Sequence, residues 1–172
     1  MHYFYWDASA LAKRYAPEIG TPLVNALFST ASRDRMRCLS VGTGEVISVL
    51  VRKKNAGLIP DTVFSQALID FRAEVLSSAA EFRLVALEDS LVFASHALIE
   101  RYSLNATDAL VLRSALDVAA ALQPAGDTLV LVSSDRRLLQ AAQQERLTTF
   151  NPETDSQEQL TALLSSGSLA SS

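Results

Sequence analysis

The feature that most constrains this chain is the run Tyr3-Phe4-Tyr5-Trp6, which ends abruptly at Asp7. Four bulky aromatic residues in succession cannot alternate between core and water, so the run reads as a strand buried on both faces. Such strands belong to the middle of an α/β sheet with helices above and below. A helical pattern (Ala8, Leu11, Ala12, Tyr15) follows at once. Asp7 therefore stands outside the carboxyl end of a central strand, where open α/β sheets bind ligands. The competing reading is that Asp7 only caps the helix, since Asp is among the preferred N-cap residues.

A chain of 172 residues amounts to about one domain and can bury a sizeable core. Apolar residues make up 49% and charged ones 20%, the balance of a soluble globular protein. No apolar run has a bilayer-spanning length, and no basic stretch precedes the apolar N-terminus as in a signal peptide. The single Cys38 excludes an internal disulfide framework and a multi-cysteine zinc site. A cytoplasmic protein without a membrane partner is expected. The net charge of −4 gives no overall attraction for nucleic acid. The charge is unevenly spread, however. Residues 1–60 hold eight Lys/Arg against four acids and residues 61–172 seven against fifteen, so a local basic surface beside Asp7 is expected.

Along the chain, Thr21 to Ser29 forms a short amphipathic helix after the break at Pro17 and Gly20, and Met36 to Val41 a second strand. Gly42-Thr43-Gly44 opens a helix through Glu45 into Arg52-Lys53-Lys54, and Pro60-Asp61 starts a longer one. Arg83 to Leu87 is a third strand, followed by a helix from Glu88-Asp89 to Arg101 and an apolar helix from Asn105 to Leu122. Thr128 to Val132 is a fourth strand, Ser133-Ser134-Asp135 leads into a helix to Gln144, and Leu147 to Phe150 is a short fifth strand. Strands separated by helices imply right-handed crossovers. The expected fold is a single three-layer α/β/α domain over residues 1–152, with a parallel sheet of about five strands. Residues 153–172 read as a polar C-terminal tail, frayed from Ser165 to Ser172.

Four acids recur at element junctions. Asp135 repeats the Asp7 arrangement of strand, small hydroxyl, acid and helix. Asp108 lies three residues after Asn105 at a helix start, which also suits a capping box. Glu45 borders an apolar helix face, where a charge is costly unless paired. Each has a purely structural reading. Together they are harder to dismiss, because Asp7 and Asp135 end apolar strands while Glu45 and Asp108 begin helices that must pack on them. Two unit charges about 4 Å apart repel by roughly 4 kcal/mol at an effective dielectric of 20. A hard divalent cation such as Mg²⁺ or Mn²⁺ relieves such crowding. Glu88 and Asp89 also follow a strand, so the junction alone is not diagnostic.

The segments Asp7-Ala8-Ser9-Ala10-Leu11-Ala12-Lys13-Arg14-Tyr15, Glu45 in its Ser/Thr-rich helix start, Thr107-Asp108-Ala109-Leu110 and Ser133-Ser134-Asp135-Arg136-Arg137-Leu138-Leu139 resemble, in that order, the PIN-domain family. Within it they are most similar to VapC-type toxin ribonucleases. The resemblance spans residues 3 to 152. It implies a PIN-like parallel sheet with the first strand central and the third at the edge, which gathers Asp7, Glu45, Asp108 and Asp135 and leaves Asp89 outside. It also implies an Mg²⁺- or Mn²⁺-dependent endoribonuclease acting as the toxin of a type II toxin-antitoxin pair, a homodimer, and a small antitoxin partner.

On this reading the four acids are both catalytic and metal-holding, and act on RNA phosphodiesters through an activated water. Ser9 and Ser134 are candidates to orient Asp7 and Asp135. Lys13, Arg14, Arg52, Lys53, Lys54, Arg136 and Arg137 are candidate phosphate contacts. His2 and His96 have no partner pattern. An aspartate-nucleophile phosphatase would carry a second Asp two positions after Asp7, where Ser9 stands. A catalytically weak PIN-like domain that serves only as a binding or regulatory module remains the alternative.

Overall fold

The structure is a computed structural model that describes residues 1–165. Five strands form one parallel sheet: β1 (His2–Trp6), β2 (Met36–Leu39), β3 (Arg83–Val85), β4 (Thr128–Val132) and β5 (Thr148–Phe150). Their order is β3-β2-β1-β4-β5, so β1 is central and β3 is an edge, as expected. The chain winds outward from β1 through β2 to β3, then returns to β1's other side for β4 and β5. The order thus reverses between β1 and β4, and open α/β sheets bind ligands outside the carboxyl ends of the strands at such a switch point. The register aligns Trp6 with Val132, which brings Asp7 and Ser133 out of the sheet side by side.

Eight α-helices cover the sheet among the described residues. On one face lie α1 (Ala8–Leu11), α2 (Thr21–Thr30), α3 (Ser40–Asn55), α4 (Asp61–Phe71) and α8 (Gln157–Ser165), packed on Phe4 and Trp6. On the other lie α5 (Asp89–Tyr102), α6 (Ala106–Leu122) and α7 (Arg136–Gln144), packed on Tyr5, Leu129 and Leu131. The aromatic run does what its composition demands: Phe4, Tyr5 and Trp6 are buried, with alternate residues feeding the two cores.

Several boundaries differ from the sequence reading, among them β3, which ends at Val85 rather than Leu87, and β5, which starts at Thr148 rather than Leu147. Strand β2 stops at Leu39 because its neighbour β3 ends opposite it, at Val85. Helix α3 therefore starts at Ser40, and Gly42 and Gly44 fall inside its first turns. The polar stretch after residue 152 is not simply a tail. It contains α8, whose Leu160 is fully buried in the core beneath α2. The frayed segment expected from Ser165 to Ser172 lies, from residue 166, outside the described residues. No helix among the described residues is long and apolar enough to cross a membrane.

Candidate active site

Asp7 caps α1 and is 6% exposed. Its Oδ2 accepts hydrogen bonds from Ser9 N (3.1 Å), Ser9 Oγ (2.5 Å) and Ser133 Oγ (3.0 Å). The Ser133 hydroxyl also accepts from Asp135 N at 3.0 Å, and Ser9 Oγ accepts from Ser134 N at 2.9 Å. Two hydroxyls thus tie the β1 end to the β4 end. Ser9 holds Asp7 as the sequence suggested. For Ser134 the expectation needs correction: its Oγ is buried with no hydrogen-bond partner among the described residues, and the fully buried Ser133 does the orienting. The alternation of side chains explains the swap. Ser133 emerges beside Asp7, and its neighbour necessarily points elsewhere. The hydroxyl two residues before Asp135 mirrors the one two residues after Asp7, a symmetry visible in the sequence.

The other three acids arrive on helices. Glu45 lies in the second turn of α3, half-buried. Burial and then the charge of Asp7 raise its pKa, while Thr107 and Arg52 pull it partly back. Asp108 sits in the first turn of α6, where Asn105 Oδ1 accepts from its backbone N (2.8 Å) and Asn105 Nδ2 donates to its Oδ2 (2.8 Å). Burial, then the charges of Asp135, Asp7 and Glu45, raise the Asp108 pKa to about 7, against the opposing pull of Arg137. Asp135 caps α7 by accepting from Leu138 N at 2.9 Å. The capping roles are therefore real, and the acids nonetheless share one electrostatic site. Glu88 and Asp89, at the end of edge strand β3, are not among the charges acting on Asp108.

The donor set is all oxygen, which suits Mg²⁺ or Mn²⁺. Among the described residues, no three acidic, histidine or cysteine groups converge tightly enough to cage an ion by themselves. Mg²⁺ usually keeps several waters and is bound via one or two carboxylates rather than an all-protein cage. Cys38 beside Asp7 is no nucleophile, because burial and then the Asp7 charge push its thiol up to about 12.

The basic residues divide sharply. Lys13 is 3% exposed and clamped between Glu18 (2.9 Å) and Glu153 (2.6 Å). Arg14 pairs with Glu74 through two nitrogens, and Lys53 with Glu18 at 2.6 Å. Lys54 meets Asp61 at 3.2 Å and lies over the Phe64 ring. These four, expected as phosphate contacts, are engaged in ion pairs that tie separate segments of the chain together. Charge counts along a sequence cannot separate a paired cation from a free one. Arg52, Arg136 and Arg137 are exposed and have no ion pair among the described residues. Arg52 and Arg137 act on Glu45 and Asp108 respectively, so they flank the acids.

Solved structures similar over most of this chain share the arrangement of its elements. PAE2754 from Pyrobaculum aerophilum is 21% identical over 94% of each chain, with a TM-score of 0.56. FitAcB from Neisseria gonorrhoeae is 17% identical over 88% of this chain and 99% of its own, with a TM-score of 0.59. VapC20 from Mycobacterium tuberculosis, a sarcin-ricin loop cleaving toxin, is 15% identical over 80% of this chain and 94% of its own, at 0.56. This chain has a PIN-domain fold. At these identities the likeness carries the PIN fold and not the activity. No family model and no curated protein matches the sequence.

Proposed function

We propose that this PIN-fold protein is a metal-dependent endoribonuclease acting as the toxin of a toxin-antitoxin pair. The observation that carries the reading is the shared electrostatic site at the β1–β4 switch point, where Asp7, Glu45 and Asp135 all act on Asp108. Purely structural caps have no reason to crowd one another's charge. The RNA substrate and toxin role are taken into the proposal from the description of VapC20, which shares the fold, and a small antitoxin and a homodimer belong to the same proposal.

Asp7, Glu45, Asp108 and Asp135 would hold Mg²⁺ or Mn²⁺. Such a cation supplies a more acidic water and neutralises charge on a phosphodiester. The chain's own residues do the positioning. Ser9 and Ser133 fix the Asp7 carboxylate, and Ser133 also sets the backbone of Asp135. Arg52 and Arg137 contact RNA phosphates on either side of the acids, leaving Lys13, Arg14, Lys53 and Lys54 to structure. Asp108, whose carboxyl burial and the neighbouring acids push up to about 7 without a cation, is the acid that a bound cation would relieve most.

The test is cleavage of mixed cellular RNA by partner-free protein in Mg²⁺, Mn²⁺ or EDTA. Cleavage is expected with either metal, to stop in EDTA, and to fall at least about 100-fold in Asp7→Asn. Cleavage that persists in EDTA, or is unchanged in Asp7→Asn, would contradict the reading. A PIN-like binding module would cleave nothing under any of these conditions.

A further inference from the structure

A pocket of about 300 Å³ opens one strand away from the acids, between α7 and the end of β5. Ser133 N donates to Phe150 O at 3.1 Å, so the β5 end lies directly against the strand end that leads to Asp135. Arg136, the residue after Asp135, and Gln140 come from the α7 wall, with Leu139 between them. Asp155 comes from the opposite wall, in the turn after β5. The acid cluster does not use this pocket; Gln143 Nε2 donates to Thr149 Oγ1 (3.0 Å) and Asn151 Oδ1 accepts from Glu153 N (2.9 Å), while other polar lining groups stay unspent. Arg136 and the Gln140 side chain have no hydrogen-bond or ion-pair partner among the described residues. Asp155 uses Oδ2 to accept from Asn151 N at 2.8 Å, and its Oδ1 accepts no hydrogen bond among the described residues.

We propose that this pocket takes a guanine base flanking the scissile phosphate, an inference that rests on the nuclease reading of the neighbouring acids. A carboxylate facing an RNA path repels phosphate and calls for a ligand edge rich in donors. A guanidinium on the opposite wall calls for an edge rich in acceptors. Guanine alone among the four bases pairs two adjacent acceptors, O6 and N7, with two adjacent donors, N1–H and N2–H. Arg136 reads the first edge, in the commonest base-specific pairing, and Asp155 reads the second. Leu139 supplies apolar contact to the ring, and Gln140 an amide for the rim. Unstacked single-stranded bases are the usual targets of sequence-specific RNA recognition, and the pocket's volume admits one such base.

The experiment measures binding of four U-rich pentaribonucleotides that differ only in the central base (A, C, G or U), in EDTA, to wild type, Asp155→Asn and Arg136→Gln. Asn can still accept from Asn151 N, so Asp155→Asn keeps the turn, and melting curves verify that both variants fold. Wild type should bind the guanine oligonucleotide about tenfold more tightly than the other three, and each variant should lose most of that margin. Equal binding of all four by wild type overturns the proposal, as does an undiminished preference in both variants. Guanine selectivity in a protein that cleaves no RNA would keep the base pocket and remove the nuclease reading. Metal-dependent cleavage without guanine selectivity would do the reverse.

Discussion

At Asp108 partial burial and three like charges act on one carboxyl, while Arg137 only partly opposes them. Its folded pKa of about 7 lies above the unfolded value near 3.9. The folded state therefore binds more protons across that interval, and metal-free stability falls as pH rises from about 4 through 7. Glu45, also raised, contributes with the same sign. Asp108→Asn removes the charge but keeps an oxygen to accept from Asn105 Nδ2. It should raise the metal-free melting temperature at pH 8 by roughly 2–4 °C, the response of a chain this size to about 1 kcal/mol after solvent screening. At pH 4 the two proteins should melt together. Thermal melts at the two pH values check this, and a variant less stable at pH 8 would show that Asp108 is mainly a helix-start residue.

Among the elements, the C-terminal strap carried a signal that its polar surroundings masked. Ser156 and Gln159 form a capping pair and Leu160, Leu163 and Leu164 follow at helical spacing; Leu160 is fully buried and His2 Nδ1 lies 2.8 Å from Leu163 O. The strap is held by long-range features that a linear reading cannot pair. Lys13 reaches Glu153, and Gly20, at φ +91°, lets the Pro152 carbonyl come so close that a Cβ there would sit 2.8 Å from it. By contrast, β1 was legible because four consecutive aromatics have one solution, and the Asp7 and Asp135 junctions because acid, small hydroxyl and helix start are contiguous. Ser133 was missed in favour of Ser134 because nothing in a sequence states which of two adjacent serines faces the neighbouring strand. Gly20→Ala meets both a left-handed backbone and a backbone clash. It should destabilise by about 2 kcal/mol or more. Leu160→Ala should cost about 2–5 kcal/mol. Urea unfolding checks both, and near-wild-type values would show that the strap is dispensable.

For the whole molecule, a central strand with its neighbours wound outward in opposite directions brings acids from four elements close enough that Asp7, Glu45 and Asp135 act on Asp108. The caps on α1 and α7 and the Asn105–Asp108 bonds stabilise the fold, and repulsion among the same carboxylates opposes it. A cation bound only by the native state should therefore add stability in proportion to the logarithm of its excess over the dissociation constant. The most direct measurement is the melting temperature of wild type and Asp135→Asn, each in EDTA and in Mn²⁺. Asn caps a helix about as well as Asp, so this change spares the cap and removes only the charge. Mn²⁺ should raise the wild-type melting temperature by several degrees, and Asp135→Asn should lose most of that rise while melting no lower than wild type in EDTA. A full Mn²⁺ response in Asp135→Asn, or none in wild type, would contradict that prediction.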